Sequence, residues 1–226
     1  VTRIERLAAR VDEIGEARKE AHEEVNDLWD SVLNQAIIGK SPINLPTGDI
    51  DAEQILRSLS KKNSLHGARH NRAHPGKTKM AQPGPAKLPE GWLWTDLGSV
   101  LTHLVDCVND TPDFVEQNTG LVGLKSTNIK PFKLDLSEIW YVTEHDFHSW
   151  NRREVPQTGD IVLTREAPVG HACIMPPGKQ VCLTQRLLLL RTDPNYVMSE
   201  FILYYINSKW FKRQVNENCR GLTTPH

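Results

Sequence analysis

The residues of this chain best suited to chemistry are cationic and amide side chains, and the chemistry they suit is recognition rather than bond-making. Lys125, Lys130, Lys133, Arg152, Arg153, Arg165, Arg186 and Arg220 fall in expected turns or strand ends, where side chains reach a ligand. The planar fork of arginine makes paired hydrogen bonds to a phosphate or to the edge of a guanine. Ser126, Thr127, Asn128, Asn151, Thr164 and Gln185 add donors and acceptors for base or backbone groups. Against this stands the plain reading, in which most are surface residues and Arg186 sits in a core-adjacent ion pair.

Catalytic patterns are weaker. Asp193-Pro194-Asn195-Tyr196 shares its outline with the amino-methyltransferase motif that positions a flipped base, but Asn195 stands where that motif has a second proline. No glycine-rich cofactor loop follows a strand upstream, so a turn leading into a helix is the expectation. His145 and His148 lack a specified third metal ligand, and Gly67, Pro75 and Gly76 argue against a helix that would align His66, His70 and His74. There is no Walker loop. The expectation is a non-enzyme with no cofactor or metal of its own.

These side chains need elements to position them. With Ile4 as position a of a heptad, a residues are Ile4, Val11, Arg18, Val25 and Val32, and d residues are Leu7, Ile14, Ala21, Leu28 and Gln35. This seam predicts a helix over 1–39 that stops near Gly39 and Pro42 and gains a partner helix, by weak self-association or otherwise; the alternative is an amphipathic helix folded onto its own domain. Residues 40–87 contain a shorter helix, capped at Asp49 or Asp51, and a basic connector rich in glycine and proline. From residue 88 to 226 the texture becomes β-rich. Strands are expected at 160–164, 172–175 and 187–191, with another running from Gly120 into a loop near Ile129. A helix is expected over 198–216. The predicted fold class is therefore α+β, a long coiled-coil helix followed by a mixed strand/helix domain.

Composition agrees with an extended arm. The hydrophobic fraction of 38% is low for one compact globule. The net charge of −1 averages three unlike segments: 6 basic and 12 acidic residues over 1–53, 8 and none over 54–89, and 13 and 16 over 90–226. An even total therefore does not exclude nucleic acid, which needs only a local positive surface. The four cysteines are widely spaced, without a CxxC pair, and no long apolar run or signal peptide is visible. Reduced thiols in a cytoplasm are the expectation.

Three islands in order carry a family resemblance: Leu88-Pro89-Glu90-Gly91-Trp92, then Thr164-Arg165-Glu166-Ala167-Pro168-Val169-Gly170, then Cys182-Leu183-Thr184-Gln185-Arg186. With the heptad arm, Gly159-Asp160-Ile161 and the terminal Gly221-Leu222-Thr223-Thr224, this order resembles the DNA specificity subunit of type I restriction-modification systems. The resemblance implies a spacer helix over 1–39, a connector over 40–87 and a target-recognition domain over 88–226. It implies one half of the usual arrangement of two recognition domains and two helices, so the chain is read as a fragment or truncated reading frame carrying the central helix and second recognition domain. Implied partners are double-stranded DNA, methyltransferase subunits and, through the complex, the restriction subunit. S-adenosylmethionine, magnesium and ATP would belong to those partners. The candidate DNA-facing residues are Lys125, Asn128, Lys130, Arg152, Arg153, Arg165 and Arg220, of which Lys125, Lys130, Arg152, Arg153 and Arg165 are expected to converge on one concave face. Gly159, Asp160, Pro168, Gly170 and Gly221 are expected to shape turns.

Overall fold

The heptad arm folds as a single helix, α1 (Thr2–Ile37), and ends where glycine allows it to. In the computed structural model, which describes residues 2–40, 52–65, 87–108, 110–166 and 168–218, Gly39 has φ of +70°. Its N–H donates to the Ala36 carbonyl (3.1 Å), and the Lys40 N–H donates to that of Gln35 (2.8 Å). These two bonds satisfy carbonyls that a helix end leaves open, the Schellman arrangement. A β-carbon at Gly39 would lie 2.5 Å from Cγ of Pro89. The first of the three sequence islands therefore packs directly against the end of the arm.

Most of the arm packs on nothing among the described residues. Ile4, Val11, Ile14 and Leu28 are each at least two-thirds exposed, whereas Leu33 and Ile37 at the C-terminal end are buried. The helix docks through its last turns. The Trp29 ring meets those of Phe132 and Tyr204 edge-on at 6.1 and 6.5 Å, and Lys209 forms ion pairs with Asp27 (2.8 Å) and Asp30 (3.0 Å). The shorter helix α2 (Ala52–Leu65) buries Leu59 completely. The expected caps at Asp49 and Asp51, most of the basic connector and His66, His70 and His74 lie outside the described residues.

The domain that follows is built on four antiparallel strands: β1 (His103–Asp106), β5 (Ile161–Thr164), β6 (Ala172–Ile174) and β8 (Leu187–Arg191), in the order β1-β8-β5-β6. Strands β2 (Leu121–Leu124) and β7 (Gln180–Leu183) pair in parallel, and β3 (Ile129–Lys130) with β4 (Lys133–Leu134) makes a small hairpin. Every residue of β5 is buried because both faces of the sheet are covered, which explains its uninterrupted Ile-Val-Leu run. Val162 faces a core shared with Val122, Leu124, Val181 and Leu183, while Ile161 and Leu163 face Ile202, Leu203 and Ile206. The latter three lie on helix α4 (Ser199–Asn207).

The helix expected over 198–216 is two helices, α4 and α5 (Lys209–Asn218). Ser208 separates them with ψ of 155°; its hydroxyl donates to the Tyr205 carbonyl (2.6 Å) and accepts from the Phe211 N–H (3.3 Å). One serine thus closes the first helix and caps the second, a local bond that competes with continued helix. A third short helix, α3 (Glu144–Trp150), is capped by the Thr143 hydroxyl, which accepts from the Asp146 N–H.

Candidate nucleic-acid interface

At one end of the β1-β8-β5 sheet, two arginines meet two carboxylates and a third arginine meets the backbone beside them. Arg165 follows β5, and its Nη1 donates to both carboxylate oxygens of Asp106 at 2.8 Å, while Nη2 reaches Glu166 at 3.0 Å. Arg186 precedes β8, and its Nε lies 3.5 Å from the second oxygen of Glu166. Arg153, beyond α3, donates to the backbone carbonyls of Asp106 (2.5 Å) and Cys107 (3.2 Å). Three guanidinium groups against two carboxylates leave an excess of one positive charge. The Arg165 side chain is 29% exposed and that of Arg186 is 42% exposed, so the group is open to a ligand.

The backbone holds this rim in shape. Arg186 is a non-glycine residue with φ of +72°, and its carbonyl accepts from the Arg165 N–H at 2.8 Å. A side chain in the left-handed region persists only where its surroundings over-determine it. Next to it, the Gln185 N–H donates to the Asp110 carbonyl, which also accepts from Nε1 of Trp150 at 3.0 Å. The Gln185 amide reaches the Thr111 hydroxyl (2.8 Å), and the Thr184 hydroxyl is buried on the Leu124 carbonyl (2.7 Å). The second and third sequence islands are therefore two sides of one structure. Arg165-Glu166 and Gln185-Arg186 form adjacent turns joined by backbone and side-chain bonds.

Not every expected site residue joins this group. Among the six expected site residues that are described, Arg153 and Arg165 are the two that meet at Asp106. Asn128 departs from its expected role: it is 4% exposed, its Oδ1 accepts from the Lys125 N–H, and its Nδ2 donates to the carbonyls of Asp135 and Glu138. Its amide shapes a loop rather than facing a ligand. Lys125 lies with its ammonium 3.3 Å from the centre of the Trp140 ring and 4.3 Å from that of Phe114. Desolvation lowers its pKa, and Glu138 partly offsets the effect. Arg152 is exposed, with its guanidinium on the Ser149 carbonyl (3.0 Å).

Lys130 is exposed on the hairpin, directly opposite Lys133, and acts on His171 together with Lys212. Burial first, and those lysines second, lower the His171 pKa. This is a separate basic area beside α1 and α4. Arg220, like Gly221, lies outside the described residues. The partners that sequence reasoning did not single out are Asp106, Trp150 and Thr111; all three act across long sequence separations, so only the register of β1 on β8 brings Asp106 to its place.

Other candidate chemistry resolves into structure. The Asp193 carboxylate accepts from the Asn195 N–H (3.0 Å) and side-chain amide (2.9 Å), a turn entering α4. His148 stands on exposed α3, 3.8 Å from Glu144. Among the described residues no group of three or more His, Cys, Asp or Glu side chains could hold a metal. Burial raises the thiol pKa values of Cys173 and Cys182 to about 12 each, and that of Cys107 further, with Asp106 adding to the effect. Such thiols stay protonated and unreactive. No described helix is long and apolar enough to cross a membrane.

Comparison with known proteins supports the resemblance drawn from the sequence islands. The chain is 24% identical over 239 aligned residues to the type I restriction enzyme EcoAI specificity subunit of Escherichia coli, a match covering 99% of this chain and 39% of that protein. It thus spans about two fifths of the relative's length. Two solved structures align over most of the chain. The HsdS subunit from Thermoanaerobacter tengcongensis does so at 18% identity and a TM-score of 0.43, covering 91% of this chain and 41% of that one. A chain from a study of assembly and conformational transition of the type I R-M system does so at 19% identity and a TM-score of 0.37, covering 87% and 39%. At those scores neither superposition bears on function. No family model matches the chain.

Proposed function

We propose that this chain binds DNA sequence-specifically, reading one half of a bipartite target and directing partner methyltransferase and restriction subunits to it without catalysing a reaction itself. The observation that carries this reading is the meeting of Arg165, Gln185 and Arg186, from two of the islands that prompted the family resemblance, with Arg153 on one half-exposed rim. Guanidinium forks and an amide are the side chains that read guanine and adenine edges in the major groove. Arg152 and Lys130, exposed nearby and on the hairpin, suit phosphate contacts that position without specifying. Arg220 remains in the proposed DNA-facing set on residue type alone. Lys125 contributes through the stiffness of its aromatic cradle, and Asn128 through the loop it holds.

The exposed seam of α1 favours a second reading, a coiled-coil interaction module with a passive domain at its end. The two readings are compatible in one molecule, since a spacer helix needs a partner and a recognition domain needs DNA. Selection from a randomised duplex library, with the chain co-expressed with a methyltransferase subunit and washed at moderate salt, separates them. Recovery of a motif of about 3–5 base pairs, each carrying the roughly 1–3 kcal/mol that one mismatch costs, supports sequence reading. Recovery of no motif by a chain that has captured its partner subunit favours the interaction module.

A further inference from the structure

Asp106 is an odd residue to find at the centre of a surface offered to a polyanion. Its carboxylate is 49% exposed, lies at the end of β1, and takes Nη1 of Arg165 on both oxygens at 2.8 Å. Stability does not account for it, because an ion pair this open to water contributes little. Nor is it isolated: Glu166 takes Nη2 of the same guanidinium, and its other oxygen faces Arg186. The two carboxylates hold two guanidinium groups at fixed angles and cancel most of the charge that a phosphate would seek.

We infer that Asp106 is a specificity-determining positioning residue, which occupies Arg165 as an internal anion so that the rim discriminates against phosphate and favours the uncharged acceptors of a base edge. This rests on the DNA-reading proposal above and deepens it. The physical basis is the sign of the charge. A phosphate oxygen approaching Arg165 meets the repulsion of the Asp106 carboxylate and must displace it. The neutral O6 and N7 acceptors of a guanine carry no net charge and meet a guanidinium already locked in plane by its carboxylate partners. Non-specific binding is dominated by phosphate contacts, and each phosphate neutralised adds a fixed increment to the salt dependence. An arginine masked by Asp106 contributes little to that increment.

The test compares wild type, Asp106→Asn and Asp106→Glu as the full 226-residue chain. Each binds a fluorescent random-sequence duplex and a duplex selected by the wild type, across a range of salt. Asp106→Asn, which removes the charge and keeps the shape, should bind the random duplex several-fold tighter. Its plot of log affinity against log salt should steepen by about 0.9, the increment of one phosphate on duplex DNA. The selected-to-random ratio should fall, and Asp106→Glu should restore the wild-type slope. If Asp106→Asn fails to fold, Glu166→Gln frees the same guanidinium from its other side and should move the slope the same way. A wild type that selects a motif while Asp106→Asn keeps its slope and ratio overturns the inference and leaves the DNA reading standing. A wild type that binds duplex without discrimination, or that binds none at low salt, takes both down together.

Discussion

Strand β8 carries an arginine cluster at each end, and the two do opposite work. Arg191 closes the strand with Nε and Nη2 on the two oxygens of Asp160 (2.7 Å each), Nη1 on Glu154 (2.7 Å) and Nη2 also on the Val155 carbonyl. Its side chain is 15% exposed and that of Asp160 is 2% exposed. Burial works against the Arg191 charge, but its hydrogen bonds to Asp160 and Glu154 outweigh it and raise the pKa. At the other end Arg165 and Arg186 meet Asp106 and Glu166 with side chains 22–49% exposed, and Arg153 meets the Asp106 carbonyl. Guanidinium and carboxylate groups alone do not distinguish a structural clamp from a reading surface. Completeness does: the buried cluster pairs one cation with two anions and a carbonyl, whereas the open one holds more cations than anions and faces solvent.

That difference should be visible in stability. The largest effect is expected from Asp160→Ala, which takes the hydrogen bonds of Nε and Nη2 to its carboxylate from the mostly buried Arg191, leaving Glu154 as its one anion, and removes the acceptor of the Gln157 N–H. A loss of about 3–5 kcal/mol in urea unfolding is expected, and a loss under 1 kcal/mol would erase the distinction between the clusters. Asn128→Ala comes next, at about 1–3 kcal/mol, because the Lys125 N–H and the carbonyls of Asp135 and Glu138 lose a buried partner. The salt dependence of DNA binding should not change with it. Arg165→Ala is expected to cost less than about 1 kcal/mol of stability, since its pairs are screened by water. Lys125→Ala should have the smallest effect, about 0.5–1 kcal/mol for an aromatic–ammonium contact at a partly exposed site, read by thermal unfolding.

How far the sequence foretold these clusters depends on the distance over which each is built. The end of α1 was legible because Gly39 acts locally, and β5 was legible because four successive residues are buried on both faces. Arg165 and Arg153 stood out by residue type beside turns. Asn128 was misplaced for the same reason: an amide in a loop looks alike from the sequence whether it faces a ligand or ties three backbone groups together. Asp106, Thr111 and the structural role of Asp160 depend on pairings across 59, 74 and 31 residues, to Arg165, Gln185 and Arg191. No local periodicity carries such information. The split at Ser208 was hidden because apolar spacing continues across it while a single hydroxyl redirects the backbone.

The expected self-association of the arm has a comparable basis. Its exposed seam residues face no part of the described chain, and burying them against another helix is the way such a face gains stability. Sedimentation at increasing concentration should show weak association that Leu28→Glu abolishes. A strictly monomeric, fully helical arm at high concentration would contradict it.

The central claim, that the open cluster reads DNA bases, is tested most directly by measuring the affinity of Arg165→Ala for a selected duplex and for a scrambled one at the same salt. The expected result is a loss of about 1–3 kcal/mol on the selected duplex and almost none on the scrambled one. An equal loss on both would make Arg165 a phosphate contact, and no loss on either would remove the cluster from the interface.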